Sequence, residues 1–219
     1  MILVSLRGSQ LVDRSAFLLN ACLGKRVLHL GATDAPCTLS AIRAGRFLHS
    51  ALKDVAADLV GMDNNWEMIK VLCNEHGVSD IRYGDIEVVE DYPRAEFDVV
   101  VAGEILEHLS NPGRALDALR AHCTAETRLI VTVPNAYSLK GFLRAMVGHE
   151  LIHPDHILHH SLRTLSELLR RHGFQVERIF AFVNGGSGWR AAFANRLLRV
   201  LPQLAEGIGV VCRISEADR

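Results

Sequence analysis

Five apolar runs rich in β-branched residues recur along this chain, and each ends in a small or polar residue. Such runs, alternating with amphipathic stretches, are typical of a parallel sheet with helices on both faces. The runs are Val27–Gly31, Leu59–Asp63, Ile81–Asp85, Val99–Glu104 and Leu129–Asn135. In these sheets ligands bind beyond the carboxyl ends of the strands. The residues at those ends therefore predict a binding site, and they are Gly31, Asp63, Asp85, Glu104 and Asn135.

Helix caps and apolar spacing predict the elements between and after these strands. A glycine follows the first and the last of the predicted helices as a stop signal. Three of the predicted helices are Asp13–Leu23, Thr38–Leu52 and Ser161–His172. A fourth follows the cap Asp63–Asn65, and its predicted apolar face is Trp66, Ile69, Leu72 and Cys73. A fifth starts at Pro112, after an Asn111 cap. Two further strands, Phe174–Phe182 and Gly207–Ile214, bring the predicted sheet to seven.

The domain organisation follows from length and from what interrupts the alternation. The 219 residues contain no internal repeat or low-complexity tract, and we expect one domain over 1–219 with a helical lead-in at 1–24. The segments 135–160 and 184–206 do not fit the alternation. Excursions of this length from a compact scaffold usually carry specificity.

Charge and cysteine usage exclude several classes of protein. A formal net charge of -1 gives no basic face for nucleic acid. The five cysteines are scattered without a Cys-x-x-Cys pair, which indicates reduced thiols rather than a disulfide framework. No apolar segment approaches the length that spans a bilayer. We expect a cytoplasmic protein.

Each strand end suits a part of a nucleoside ligand. Gly31 lets the backbone approach a ligand beside a helix N-terminus. Asp63 is placed to accept hydrogen bonds from a ribose diol. Asp85 and Ile86 supply a polar edge and an apolar wall for adenine. The small residues before Glu104 leave room for a reacting group.

These motifs, in this order, resemble those of the class I S-adenosylmethionine-dependent methyltransferases, in particular the ubiquinone-biosynthesis-type small-molecule subgroup. The segments that carry the resemblance are Val27–Gly31, Gly61–Asp63, Gly84–Ile86, Phe97–Val100, Glu104–His108, Val131–Asn135 and Ser161–Phe174. The resemblance implies a doubly wound, Rossmann-like α/β fold with seven strands, mostly parallel, whose last strand is antiparallel. It also implies S-adenosylmethionine as cofactor. The residues expected to hold that donor are Gly31, Ala32, Thr33, Asp34, Ala35, Asp63, Asn64, Gly84, Asp85, Ile86, Ala102, Gly103 and Glu104.

The chain departs from the family pattern in its first loop. Thr33 and Ala35 stand where the family usually has glycines, and His29 stands where an acidic residue is common. The added Cβ atoms narrow the approach of the donor, and Asp34 adds a charge that suits the donor's amino group.

The resemblance also implies methyl transfer to a small molecule, to an oxygen ahead of a nitrogen, on a sugar, an isoprenoid or a similar metabolite. A sulfonium methyl group is already activated, so the main task is to position the acceptor. A hydroxyl acceptor also benefits from a base, most often His. His108 is the leading base or acceptor-orienting residue. His153 and His156 come second, because 135–160 and 184–206 are expected on the acceptor side.

Several alternatives compete with parts of this interpretation. The five histidines from His149 to His160 suggest a metal site with Glu104 or Asp155, but their spacing matches no closed pattern and favours a solvated or lid-forming segment without metal. Amphipathic stretches in both excursions suit cover helices, or contact with a lipid-linked acceptor. NAD binding would need glycines that Gly31–Pro36 lacks. The main rival is a methyltransferase-like module that binds or scaffolds without turnover.

Overall fold

A computed structural model describes residues 9–183 and 196–215. Its strands are β1 Gln10–Val12, β2 Arg26–Leu30, β3 Asp58–Asp63, β4 Ile81–Tyr83, β5 Val99–Gly103, β6 Arg128–Pro134, β7 Phe174–Phe182 and β8 Gly207–Ile214. Its helices are α1 Arg14–Cys22, α2 Thr38–Arg43, α3 Leu48–Lys53, α4 Trp66–His76, α5 Pro112–Arg120, α6 Leu139–Met146 and α7 Leu162–Arg171.

The described strands form one mixed sheet in the order β1-β7-β8-β6-β5-β2-β3-β4. Strand β8 pairs antiparallel with β6 and β7, and all other pairs are parallel. The α/β class, the parallel strands and the antiparallel last strand are confirmed. The sheet has eight strands rather than the predicted seven, because Gln10–Val12 in the lead-in adds a short edge strand against β7.

Alternate residues of the central strands pack on opposite faces of the sheet. In β5, Val100 packs on the face that holds Leu116 of α5, whereas Val99 packs on the face that holds Leu18 of α1. Helices α5 and α7 cover the first face, and α1 and α3 cover the second. This two-sided burial explains why the central strands read as continuous apolar runs.

Most predicted helix ends are correct, and two helical predictions are wrong. Side-chain caps at Asp13, Asn111 and Ser161 start α1, α5 and α7, as the sequence indicates. The predicted helix Thr38–Leu52 is two helices, because Gly45 adopts a left-handed φ of 63° and breaks the chain between them. In α4, Ile69 and Leu72 are buried, but Trp66 and Cys73 of the predicted apolar face are exposed.

The two excursions meet beside the end of β6. Asn135 and His160 form a parallel bridge, so the first excursion starts and ends at one point. The Asn135 side chain donates to the carbonyls of Gln203 and Ala205 at the end of the second excursion. Residues 184–195 of that excursion, including Trp189 and Phe193, lie outside the described residues. Among the helices in the described ranges, none is both long enough and apolar enough to cross a bilayer.

Candidate active site

The order of the strands reverses direction at β2. The chain adds β3 and β4 on one side of β2, and then β5 and β6 on the other. Ligands of open α/β sheets bind at such a switch point, outside the carboxyl ends of the strands. A cavity of about 510 Å³ lies there, within the usual size range of small-molecule sites.

The loop after β2 forms one wall of this cavity. Gly31 has a φ of 68°, and a Cβ at this position would lie 2.8 Å from Cδ1 of Ile105. The backbone amide of Gly31 donates to the carbonyl of Met62, which ties the loop to β3. Glycine is therefore required here both for conformation and for space.

Asp63 organises the same loop through its carboxylate. Its Oδ2 accepts hydrogen bonds from the backbone amide and the hydroxyl of Thr33, both at 2.9 Å. Its Oδ1 accepts one from the backbone amide of Asn65 at 2.9 Å. A carboxylate has about four acceptor positions, so one remains for a ligand. Thr33 thus narrows the cavity without closing it.

Glu104 and Arg14 form an ion pair in the lining of the cavity. Glu104 has a left-handed φ of 56°, an uncommon conformation for a side chain of this size. Its Oε2 lies 3.7 Å from Nη2 of Arg14, the first residue of α1. The Nε of Arg14 donates to the Thr132 hydroxyl at 3.1 Å. These contacts hold a cation and a carboxylate side by side in the lining of the cavity.

Most of the predicted donor residues line this single cavity. They are Gly31, Ala32, Thr33, Asp34, Ala35, Asp63, Asn64, Gly103 and Glu104. Burial raises the pKa of Asp34, which stabilises its neutral form. Asp63 and Glu104 come from two different strands, and both line this cavity. This is the arrangement that we expect of a nucleoside site at the ends of the strands.

Four predicted donor residues are not among those that line it. Ala102 is buried within β5 and packs in the core under α5. Gly84, Asp85 and Ile86 follow β4, farther along the sheet. Their polar groups bond locally: the Asp85 carboxylate accepts from the amide of Glu87, and the Ile86 carbonyl accepts from Tyr92. Their role as an adenine site stays a prediction.

Three histidines form a cluster next to the cavity. The His108 ring lies 4.5 Å from that of His156 and 5.6 Å from that of His153, centroid to centroid. The backbone brings them together, because the amides of Ile157 and Leu158 both donate to the carbonyl of Glu107. This contact pins the excursion onto the short helical turn that carries His108.

Burial shifts the pKa values of two of the three histidines. Burial, and then the nearby His153, lower the pKa of His108, and burial and the neighbouring imidazoles lower the pKa of His156. Burial also raises the pKa of Glu107 to about 8. The neutral forms of His108, His156 and Glu107 are therefore favoured in the free protein.

The cluster separates the cavity from a second, larger space. His108 and Asp155 line the first cavity, whereas His153 and His156 line a groove of about 1,260 Å³. Apolar side chains of the excursion, among them Tyr137 and Phe142, line this groove as well. The structure thus places all three predicted catalytic histidines at the junction of two spaces.

Several cavity residues were not predicted. Arg14 and Ser15 enter from α1, and Phe47, Leu48 and His49 enter from the start of α3. The sequence gives no signal for them, because their position depends on how these helices pack against the sheet. Ile105 is the exception, since it lies inside a segment that already carries the resemblance.

Comparison with known proteins agrees with this geometry. The model of the family described as methyltransferase domain matches residues 11–179. Two curated relatives are similar over part of their length. The ubiquinone biosynthesis O-methyltransferase of Methylococcus capsulatus (strain Bath) is 31% identical over 126 residues, which cover 55% of this chain and 50% of that protein. The protein of the same name from Bradyrhizobium sp. (strain ORS 278) is 28% identical over 142 residues, which cover 64% and 51%.

The chain therefore spans about half the length of the curated relatives it matches. Among solved structures, a SAM-dependent methyltransferase from Archaeoglobus fulgidus aligns over 90% of both chains with a TM-score of 0.55 and 18% identity. At that identity the likeness shows the fold.

Proposed function

Because the chain belongs to the methyltransferase domain family, we propose that it transfers a methyl group from S-adenosylmethionine to an oxygen of a small molecule. The observation that carries this proposal is the position of the histidine cluster. His108 lies on the wall of the donor-sized cavity, and His153 and His156 lie on the wall of the groove beside it. A group-transfer reaction needs its two reactants to meet at such a junction.

The residues present suit S-adenosylmethionine. Gly31 leaves a space that a Cβ would fill, and the cavity is large enough for a nucleoside with a side chain. Asp63 retains an acceptor position for a ribose hydroxyl. Glu104 and Asp34 supply carboxyl groups for an amino group.

Bound there, S-adenosylmethionine would supply a methyl group that needs no further activation. The chain's own part is then to hold the acceptor oxygen in line, at about 3 to 3.5 Å from its target. The three imidazoles lie where the cavity and the groove adjoin, which is where we expect that oxygen to bind. His108 is the leading residue for taking up the proton of an acceptor hydroxyl, with His153 and His156 orienting it.

The groove favours an acceptor with an apolar part. Helix α6 buries none of its residues, and Phe142 and Met146 on it are 61% and 68% exposed. Lys140 and Arg144 lie on the same helix, which suits a surface that contacts a lipid-linked substrate. An isoprenoid-type hydroxyl acceptor fits this groove better than a sugar. The names of the two curated relatives support oxygen over nitrogen.

The test has two stages. Calorimetric titration with S-adenosylmethionine should show binding at one site, and its absence at millimolar donor would contradict the proposal. Labelled methyl transfer to a panel of hydroxyl and amine acceptors, with and without an isoprenoid tail, should then favour the apolar hydroxyls. Donor binding without turnover on any acceptor would favour the scaffolding module.

A further inference from the structure

The histidine cluster has the composition and the placement of a metal centre. We propose that His108, His153 and His156 form a binding site for a divalent transition-metal ion of the Zn²⁺ class, to which the acceptor oxygen binds directly. This inference rests on the proposed function, since it assigns the site's substrate contact. Imidazole is a common ligand of zinc, iron and nickel.

The distances allow three-point coordination. One ring nitrogen from each histidine lies within 4.8 Å of the other two. In a tetrahedral zinc site, where each nitrogen is 2.0 to 2.1 Å from the ion, ligand nitrogens are about 3.4 Å apart. Small rotations of three partly exposed side chains close this gap. His153 and His156 lie on a turn, where the amide of His156 donates to the carbonyl of His153.

Two of the three histidines, His153 and His156, have a carboxylate near one ring nitrogen. Histidines that bind metals usually present their second nitrogen to a carboxylate or a carbonyl, which orients the ring. Oε1 of Glu107 lies 4.0 Å from Nε2 of His156, and Oδ2 of Asp155 lies 3.8 Å from Nδ1 of His153. Each of these two histidines thus has one ring nitrogen within about 4 Å of a carboxylate.

Glu107 is the independent observation that points to a cation. Its side chain is only 1% exposed, and neither carboxylate oxygen has a hydrogen-bond partner among the described residues. A buried, unsatisfied carboxyl group is costly unless a compensating charge is near. A dication held by the three imidazoles would supply that charge next to the Glu107 side chain.

The spacing argument from sequence misses this site because the first ligand lies far upstream. His108 is 45 positions before His153, on a different element, and only the contact between the excursion and Glu107 brings them together. A search within His149–His160 finds two of the three ligands and no closed pattern.

Three protein ligands leave a fourth position open, as in catalytic rather than structural zinc sites. The cluster lies between donor cavity and groove, so the open position is available to an acceptor hydroxyl. In the metal-loaded protein His108 is a ligand and takes up no proton. The ion would lower the pKa of the acceptor hydroxyl, whose proton leaves to solvent. The resulting oxygen anion forms the new O–CH₃ bond while the S–CH₃ bond breaks and its electron pair stays on sulfur.

The experiment measures metal binding directly. Chelator-treated protein is titrated with Co²⁺ and with Zn²⁺, followed by visible absorption and by calorimetry. We expect one ion per chain and the intense absorption bands of four-coordinate Co²⁺. The paired variant His153→Ala/His156→Ala should bind the metal ion at least about 100-fold more weakly than the wild type. That loss exceeds the usual effect of removing a carboxylate that only orients a ligand. Glu107→Gln should weaken binding by about 10-fold.

The matched control is His149→Ala/His159→Ala, which removes two exposed histidines of the same excursion and should bind as the wild type does. Equal loss in both paired variants, or equal retention, would overturn the proposal. X-ray absorption of the zinc-loaded wild type should count three imidazoles and does not depend on any variant folding. Calorimetry with S-adenosylmethionine runs in parallel, so intact donor binding without metal binding would refute this inference alone.

Discussion

Thr33 donates its backbone amide and its hydroxyl to the same carboxylate oxygen of Asp63, each across 2.9 Å. Thr33 lies in the loop after β2 and Asp63 ends the neighbouring strand β3, so this pair fixes one wall of the cavity. A glycine at position 33 would supply only the amide. The hydroxyl therefore adds rigidity where the sequence alone suggests an obstruction.

Replacement of the Thr33 hydroxyl should lower the stability of the protein more than it lowers the affinity for the donor. Thr33→Val keeps the shape and the amide but removes a buried hydrogen bond to a charged group, which contributes about 1.5 to 3 kcal/mol. We expect the free energy of unfolding in urea to fall by that amount. Thr33→Ser retains the hydroxyl and should lose much less. Equal stability of Thr33→Val and the wild type would show that the hydroxyl is dispensable.

Loss of the Asp63 charge should weaken the donor complex. Asp63→Asn removes a charged acceptor of ribose hydroxyls, so the dissociation constant for S-adenosylmethionine should rise by about 10- to 100-fold, or roughly 1.5 to 3 kcal/mol. Calorimetry measures it. Asp98→Asn is the control, because Asp98 pairs with Arg26 at the opposite end of the strands. An unchanged constant for Asp63→Asn would remove Asp63 from the donor site.

Removal of the His108 ring should separate turnover from donor affinity. His108→Ala should lower kcat by about 10²- to 10⁴-fold, the usual contribution of a positioned proton acceptor, while the donor dissociation constant stays nearly the same. His76→Ala, at the exposed end of α4, serves as control. A variant with full activity would exclude His108 from the reaction.

Acid should destabilise the protein through its buried histidine pair. Burial, and then the neighbouring His49, hold the pKa of His29 well below its ordinary value of 6.5. As the pH falls through about 6.5, the unfolded chain binds a proton at this position and the folded chain does not, so stability decreases. Between about pH 6.5 and 5, the free energy of unfolding of His29→Gln should fall less steeply than that of the wild type. The two slopes should differ by up to about 1.4 kcal/mol per pH unit. Urea unfolding across this range measures the slope, and a slope equal to that of the wild type would contradict the assignment.

Two glycines with the same conformation should respond differently to alanine. Gly31 and Gly45 have φ values of 68° and 63°, but only at Gly31 would the new Cβ meet a neighbour, Ile105. Gly45→Ala should therefore cost only the conformational strain, about 1 to 2 kcal/mol. Gly31→Ala should cost more and should also weaken donor binding. Equal losses in thermal unfolding would show that the Ile105 side chain moves aside freely.

The sequence predicts the sheet well because its signals are local. Apolar runs, side-chain caps at Asp13, Asn111 and Ser161, and glycine stops are each read within a few residues. The edge strand Gln10–Val12 was not predicted, because three residues are too few to show the alternation of apolar and polar residues that marks a strand. The helix break at Gly45 was not predicted, because a glycine inside a helical stretch can also be tolerated without ending the helix.

The site is only partly predictable for the opposite reason. The strand ends that share the cavity, such as Asp63 and Glu104, follow from sheet topology alone. Arg14 reaches the cavity through the packing of α1, and the histidine cluster depends on a backbone contact with Glu107. Such long-range contacts leave no pattern in the sequence. The catalytic and donor-binding roles themselves stay predictions.

The bridge between Asn135 and His160 has a consequence for how the segment between these two residues can vary. Both ends of the excursion are anchored at one point, so its interior can change in length or composition at little entropic cost and without strain on the strands. A segment grafted from another methyltransferase at these two anchors should therefore leave the cavity at the strand ends as it is. A changed acceptor preference in such a graft would support the proposed acceptor role of 135–160.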